Sequence, residues 1–146
     1  LNSANWTRTS FMMTSGLSME LDLNQTEDEL FTGLHGNWRR SLRKAQKNNV
    51  VIKQCFNPDI EELCRVFADM EAHKNLPQLF TAEKLENLFK CVNENLIFYQ
   101  CRDAGGNLVA YRACLVVGNR ACDYIAAATG QGRDLRASYA TFWASR

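Results

Sequence analysis

The sequence predicts an α+β domain (mixed α/β), a central, mostly antiparallel sheet flanked by helices, and three observations carry that reading. Strand-like segments follow one another at 96–103, 108–117 and 121–129, joined by Gly105-Gly106-Asn107 and Gly118-Asn119, turns of the kind that close hairpins. Ahead of them, apolar residues recur at helical spacing over three stretches between Thr26 and Val92. Behind them lies a helix from about Ala137, with Tyr139, Phe142 and Trp143 placed for the core.

A chain of 146 residues, 46% hydrophobic and 23% charged, suits one domain, 1–146, with a single core. Within it we distinguish an N-terminal part, 11–49, from a core part, 50–146. A net charge of +1 gives no whole-chain case for nucleic acid or membranes, so any such case must be local. No apolar run approaches the ~20 residues of a membrane span, and no signal peptide is evident, which points to the cytoplasm. The six cysteines show no CxxC pair or metal-ligand spacing and read as reduced thiols used as small core residues. No metal is expected. His35 and His73 are the only histidines, and no GxSxG, P-loop or HExxH motif occurs.

In chain order, residues 1–9 are a lead-in. Leu17, Met19, Leu21 and Leu23 then alternate with polar residues, the period of a half-buried strand within 11–23. Thr26 with Glu29 forms a capping box, and Leu30, Phe31, Leu34, Trp38, Leu42 and Ala45 continue as one helical stripe, with a kink or break before Trp38 favoured by Gly33 and Gly36. Asn48-Asn49 ends that helix, since Asn tolerates the left-handed exit. A short strand follows at 50–56. Asn57 as N-cap and Pro58 at the first helical position open a helix using Ile60, Leu63, Cys64, Phe67 and Met70, stopped before Pro77. Thr81 caps the next, which buries Leu85, Leu88, Phe89 and Val92. Residues 130–136 are expected to form a loop. The last helix stops with the chain, which suggests a partner in the missing C-terminal part of its own chain.

One stretch stands apart. Arg39, Arg40, Arg43, Lys44 and Lys47 cover one arc of a helix, roughly 140° wide, with Trp38, Leu42 and Ala45 opposite. No acidic residue lies between Glu29 and Asp59. Arg supplies bidentate contacts to phosphate and Lys a point charge, so this face suits an anionic small molecule or tRNA; the bland reading is a solvated helix face.

From Val50 the order strand, two helices, three antiparallel strands, helix is similar to the front half of the GNAT acyltransferase fold, and the remaining C-terminal strands would follow Arg146. The preceding helix sharpens this. Arg39-Arg-Ser-Leu-Arg-Lys-Ala-Gln-Lys-Asn-Asn-Val-Val-Ile52 resembles the segment R-x-x-(I/L)-R-K-A-x-K-x-G-V-x-(V/I) of the Fem-like peptidoglycan-bridge aminoacyltransferases, with Asn49 in place of the glycine, and the similarity extends through Tyr124-Ile125 to Tyr139–Trp143. The resemblance implies a cell-wall transferase that moves an acyl or aminoacyl group to an amine, with aminoacyl-tRNA or acyl-CoA as donor substrate.

It also implies sites. Arg39, Arg43, Lys44 and Lys47 would bind substrate. Gln131, Gly132, Arg133 and Arg136 stand where acetyl-CoA-using members place their pyrophosphate loop, although Asp134 occupies the position of its first glycine and puts a side chain and a negative charge against a phosphate. That leans toward the aminoacyl-tRNA donor. Acyl transfer needs no enzyme nucleophile, only alignment, a proton acceptor and oxyanion donors. Tyr111, Asp123 and Tyr124 are the polar candidates on the central strands, with Asp123 and Tyr124 as catalytic residues. The alternative is a non-catalytic anion- or nucleic-acid-binding accessory domain with a decayed cofactor loop.

Overall fold

A computed structural model of the chain describes residues 19–146 and divides it into two compact units, 1–32 and 33–146. In the first, the capping box forms: the Thr26 amide and hydroxyl both donate to Glu29 Oε2 at 2.8 Å, and the Glu29 amide donates back to Thr26 Oγ1 at 3.3 Å. The helix it starts, α1 (Glu27–Gly33), ends at the first glycine. The alternating stretch lies outside the described residues up to position 18. Its remainder is not a strand: residues 19–22 are irregular and 23–24 a turn, with Met19, Leu21 and Leu23 exposed. Among the described residues no strand pairs with this stretch.

The second unit holds the sheet. Its elements are α2 (Gly36–Lys47), β1 (Val51–Gln54), α3 (Ile60–His73), α4 (Ala82–Val92), β2 (Leu96–Arg102), β3 (Leu108–Val117), β4 (Arg120–Ala128), α5 (Gly130–Asp134) and α6 (Ala137–Ala144). The sheet is wholly antiparallel in the order β1-β2-β3-β4. The expected fold class and the meander of its last three strands are therefore present. The expected break before Trp38 falls between α1 and α2, so the single stripe from Leu30 to Ala45 is cut in two.

Helices cover both faces. On one side α3 and α4 pack Leu63, Val66, Phe67 and Leu85 against Phe98, Tyr111, Ala113 and Ala127. Tyr111 is the pivot, stacked on Phe98 with ring centroids 5.3 Å apart and meeting Phe67 edge-on at 5.0 Å. On the other side Ala137 of α6 closes on Cys101, Val109, Ala110 and Ala128. Val109 and Ala110 are consecutive yet share a cluster because the β2–β3 register slips there: Cys101 pairs with Ala110 and Arg102 with Leu108.

Several expectations need adjustment. The cap of α3 is Asp59, not Asn57, because the Asp59 carboxylate accepts from the amides of Glu61 and Glu62 at 2.9 and 3.1 Å, leaving Pro58 outside the helix. On α4 only Leu85 is fully buried; Leu88, Phe89 and Val92 are half-buried. On α6 the buried residues are Ala137, Ala140 and Thr141, whereas Tyr139, Phe142 and Trp143 are half-buried, since the close approach of α6 to the sheet admits only small side chains. The six thiols are free, and only Cys101 and Cys114 are buried core residues. Burial pushes the Cys101 thiol up to about 11, with Asp103 adding to the shift.

Polar ties fix the elements. Arg102 forks onto both oxygens of Glu62, joining β2 to α3, and this pair holds the Glu62 carboxyl below its ordinary value. Glu71, buried on α3, accepts from the amides of Leu79 and Phe80 at 2.8 and 3.3 Å and so ties down the link to α4.

Glu62 has a lower pKa folded than unfolded, so its stabilisation is complete above the ordinary carboxylate range and fades as pH falls through the folded value. Glu62→Gln should therefore cost about 1 kcal/mol at neutral pH, a figure discounted for partial exposure, and chemical denaturation should show the gap to wild type narrowing below about pH 4. At Gly132 a Cβ would stand 2.1 Å from the Val109 carbonyl oxygen, a backbone atom that cannot swing away. Gly132→Ala should lower unfolding stability by about 2 kcal/mol or more in the same measurement.

Candidate anion and acyl-transfer site

The basic helix divides its faces as its sequence requires. Leu42 and Ala45 are fully buried, and Trp38 meets Tyr139 and Phe142 of α6 edge-on at 4.9 and 5.3 Å. Burying one Leu stabilises by roughly 1.5–3 kcal/mol, more than a dispersed row of surface charges can oppose. On the other face Arg40, Arg43, Lys44 and Lys47 are exposed and Arg39 is half-buried. The start comes from a residue that sequence reasoning left without a role: His35 is the N-cap, its Nδ1 accepting from the Asn37 amide at 3.4 Å. Lys44 and Lys47 lie in the last turn, where the helix dipole favours cations. Asn49 follows with φ 51, the left-handed exit expected of it. Asn48 Nδ2 donates to the Leu135 carbonyl at 3.0 Å. With Trp38 on Tyr139 and Phe142 and Asn48 on Leu135, α2 runs antiparallel to α6.

Asp123 and Tyr124 sit at an irregularity of β4. Ala113 pairs with Ile125 and Cys114 with Asp123, so Tyr124 is the extra residue of a bulge. Bulges leave such a residue out of the ladder and re-aim its neighbours. Tyr124 is exposed, and the Asp123 side chain is 53% exposed. Asp123 is ion-paired to Arg112, whose side chain is only 12% exposed and whose guanidinium lies 4.8 Å from the Phe142 ring centroid. A charged residue inside the apolar run of β3 was the available signal for Arg112. Cys114, whose thiol burial pushes up, lies on the same face. Tyr111 is elsewhere: adjacent to Arg112 on the strand, it points to the opposite face and is buried among Phe67 and Phe98.

Most of the 130–136 stretch is not a loop but α5 (Gly130–Asp134), a short helix capped by Thr129, whose Oγ1 accepts from the Gly132 amide at 3.1 Å, and a turn follows at 135–136. Here the chain's own groups engage each other. The Gly130 amide donates to Asp69 Oδ1 at 2.9 Å, and Arg133 donates to the same oxygen at 3.2 Å and to the Ala128 carbonyl at 2.9 Å. Gln131 Nε2 donates to Asp103 Oδ2 at 2.8 Å. Asp103 also accepts from the Asn107 side chain and amide, and these bonds, with those from the Gly105 amide and Gln131, hold its carboxyl low. Arg136 is left-handed, φ 60, at the start of α6. Asp69 and Asp103 are distant in sequence, so no local pattern announced them.

Asp123 and Tyr124 thus lie in the middle of β4, and Gln131, Gly132 and Arg133 lie on α5 beyond its last residue, with roughly 13 Å of strand between Tyr124 and Ala128. Helix α2 packs along α6. No group of three or more His, Cys, Asp or Glu among the described residues could hold a metal, and no helix among them is long and apolar enough to cross a membrane.

This arrangement of sheet and helices is the Fem-like fold that the sequence resembles. The crystal structure of FemX superposes with a TM-score of 0.73 at 8% identity, covering 84% of this chain and 47% of FemX, so the chain spans about half its length. Two further structures match more distantly. A GCN5-related glucosamine N-acetyltransferase region of a fungal multi-domain GH3 β-N-acetylglucosaminidase gives a TM-score of 0.46 at 18% identity, over 68% of this chain and 12% of that one. A GNAT family acetyltransferase of Staphylococcus aureus gives 0.40 at 12%, over 66% and 78%. No protein-family model matches the sequence, and no curated protein matches it.

The two faces of α2 should respond to mutation differently. Trp38→Ala should cost about 2–3 kcal/mol in urea unfolding, since it removes both ring contacts with α6. Neutralising Arg39, Arg43, Lys44 and Lys47 together should change stability by less than about 1 kcal/mol.

Proposed function

We propose that the chain belongs to an enzyme that transfers an aminoacyl group to an amine acceptor, with aminoacyl-tRNA as donor. The observation that carries the choice of donor is Asp69. Its carboxylate accepts from the Gly130 amide and from Arg133, so a carboxylate of the protein stands at the start of α5, where a CoA pyrophosphate would need bare amides. Asp134 adds a second negative charge to the same short helix. The cationic face of α2 presents its positive charge to solvent and suits a long phosphate backbone. The acceptor class implied by the Fem-like resemblance is the amine of a nucleotide-linked peptidoglycan precursor, and in this reading the reaction is cytoplasmic.

In this reading the acceptor amine attacks the carbonyl of the aminoacyl ester; a C–N bond forms, the C–O bond to the ribose breaks, and the ribose hydroxyl leaves. Asp123, a half-exposed carboxylate oriented by Arg112, takes the proton from the amine. The Tyr124 phenol, exposed beside it on the bulge, donates to the departing oxygen or the tetrahedral oxyanion. Arg39, Arg43, Lys44 and Lys47 bind the donor's phosphates.

Transfer of a labelled amino acid from charged tRNA to an amine acceptor, measured in the intact protein, tests the scheme. Asp123→Asn should lower kcat at least tenfold and Tyr124→Phe several-fold, each with little change in tRNA affinity. The quadruple neutralisation of α2 should instead weaken tRNA binding more than tenfold and flatten its salt dependence, with a log–log slope smaller by about 3. Binding of tRNA without turnover in the wild type would favour the accessory-domain reading, and an unchanged salt slope would remove the anion site.

A further inference from the structure

On the face of the sheet away from α2 and α6, a cleft of about 370 Å³ opens between the end of β1, the start of α3, α4 and β2. That volume is within the range of small-molecule sites, ~300–1,000 Å³. Its floor is apolar and ordered: Phe98 is 3% exposed, and Phe89 meets it edge-on with centroids 6.0 Å apart. Ile60 forms a wall. Phe56, in the turn after β1, stands at the cleft 82% exposed, an aromatic ring given to water with no packing role in the fold as described.

Two charges complete the lining. Glu86 and Lys90 are four residues apart on α4, the spacing and order at which a Glu and a Lys ordinarily join in an ion pair. Among the described residues no ion pair joins them. An acceptor and a donor of opposite charge therefore stand side by side over an aromatic floor. The complementary ligand carries an ammonium and a carboxylate on one carbon and an apolar body long enough to reach Phe89 and Phe98.

We propose that this cleft binds a small zwitterion with an apolar body, an α-amino acid carrying a branched or aromatic side chain. The ammonium meets Glu86, the carboxylate meets Lys90, the side chain lies over Phe98 and Phe89, and Phe56 covers it. Binding here does not depend on the acyl-transfer reading, because no residue of that site lines the cleft.

The test is an amide-resolved NMR titration of the full chain with L-phenylalanine or L-leucine. Saturable shifts should cluster at residues 55–60, 86–90 and 96–98. N-acetyl-L-phenylalanine, which lacks the ammonium, and L-phenylalaninamide, which lacks the carboxylate, should each bind several-fold more weakly. Glu86→Gln and Lys90→Gln, both at exposed positions that leave the core intact, should each weaken the zwitterion two- to fivefold, the range expected of one exposed charge contact. The quadruple variant of α2 should bind it unchanged. No saturable shift at these residues, equal affinity for the zwitterion and both blocked forms, or loss of binding in the α2 variant would overturn the proposal.

Discussion

Where the chain leaves the sheet, one carbonyl sets the geometry of everything that follows. The Val109 oxygen accepts from the Thr129 amide at 2.9 Å and from the Thr129 hydroxyl at 3.3 Å, and Gly132 lies so close that no other residue fits. This contact presses α5 onto β3. With α5 fixed, Gly130 and Arg133 reach Asp69 on α3, and Gln131 reaches Asp103 at the end of β2. One short helix thereby links three separate parts of the unit. Its direction also fixes α6 and, through Trp38 and Asn48, the basic helix lying along α6.

The two bulges work in concert with that anchor. The slip at Val109 places consecutive residues in one apolar cluster, where a regular strand would have sent one of them to the other face. The slip at Tyr124 lets Asp123 share a face with Arg112 while Ile125 returns to the core with Ala113. Burying a guanidinium on a sheet costs free energy unless it is paired. Here the aromatic face of Phe142 and the Asp123 carboxylate compensate Arg112, so α6 contributes to the site as well as to packing.

How much of this the sequence reveals follows from the range of each interaction. Features decided within four residues were legible: the Thr26–Glu29 box, the break at Gly33, the left-handed Asn49, the two glycine turns, the two-faced α2. Features decided by tertiary approach were not. Aromatic residues on α6 were assigned to the core by size, yet the sheet accepted alanines there because the helix sits close. The alternation ending at Leu23 has strand period, but period cannot create a pairing partner. Asp69 and Asp103 carry no local signature because they act on residues 61 and 28 positions away.

That same logic separates the two candidate sites physically. Helix α5 beyond β4 has the composition of an anion cradle, two glycines and an arginine, but its Gly130 amide, its Gln131 side chain and one Arg133 nitrogen donate to the protein's own Asp69 and Asp103 carboxylates. A phosphate arriving there would have to displace Asp69 from both an amide and a guanidinium while standing beside Asp134, losing in repulsion what it gained in contacts. The cations of α2 lie in a stretch with no acidic residue between Glu29 and Asp59. In the proposed reading the donor's phosphates engage α2 and not the start of α5, which calls for a ligand extended enough to follow a helix face.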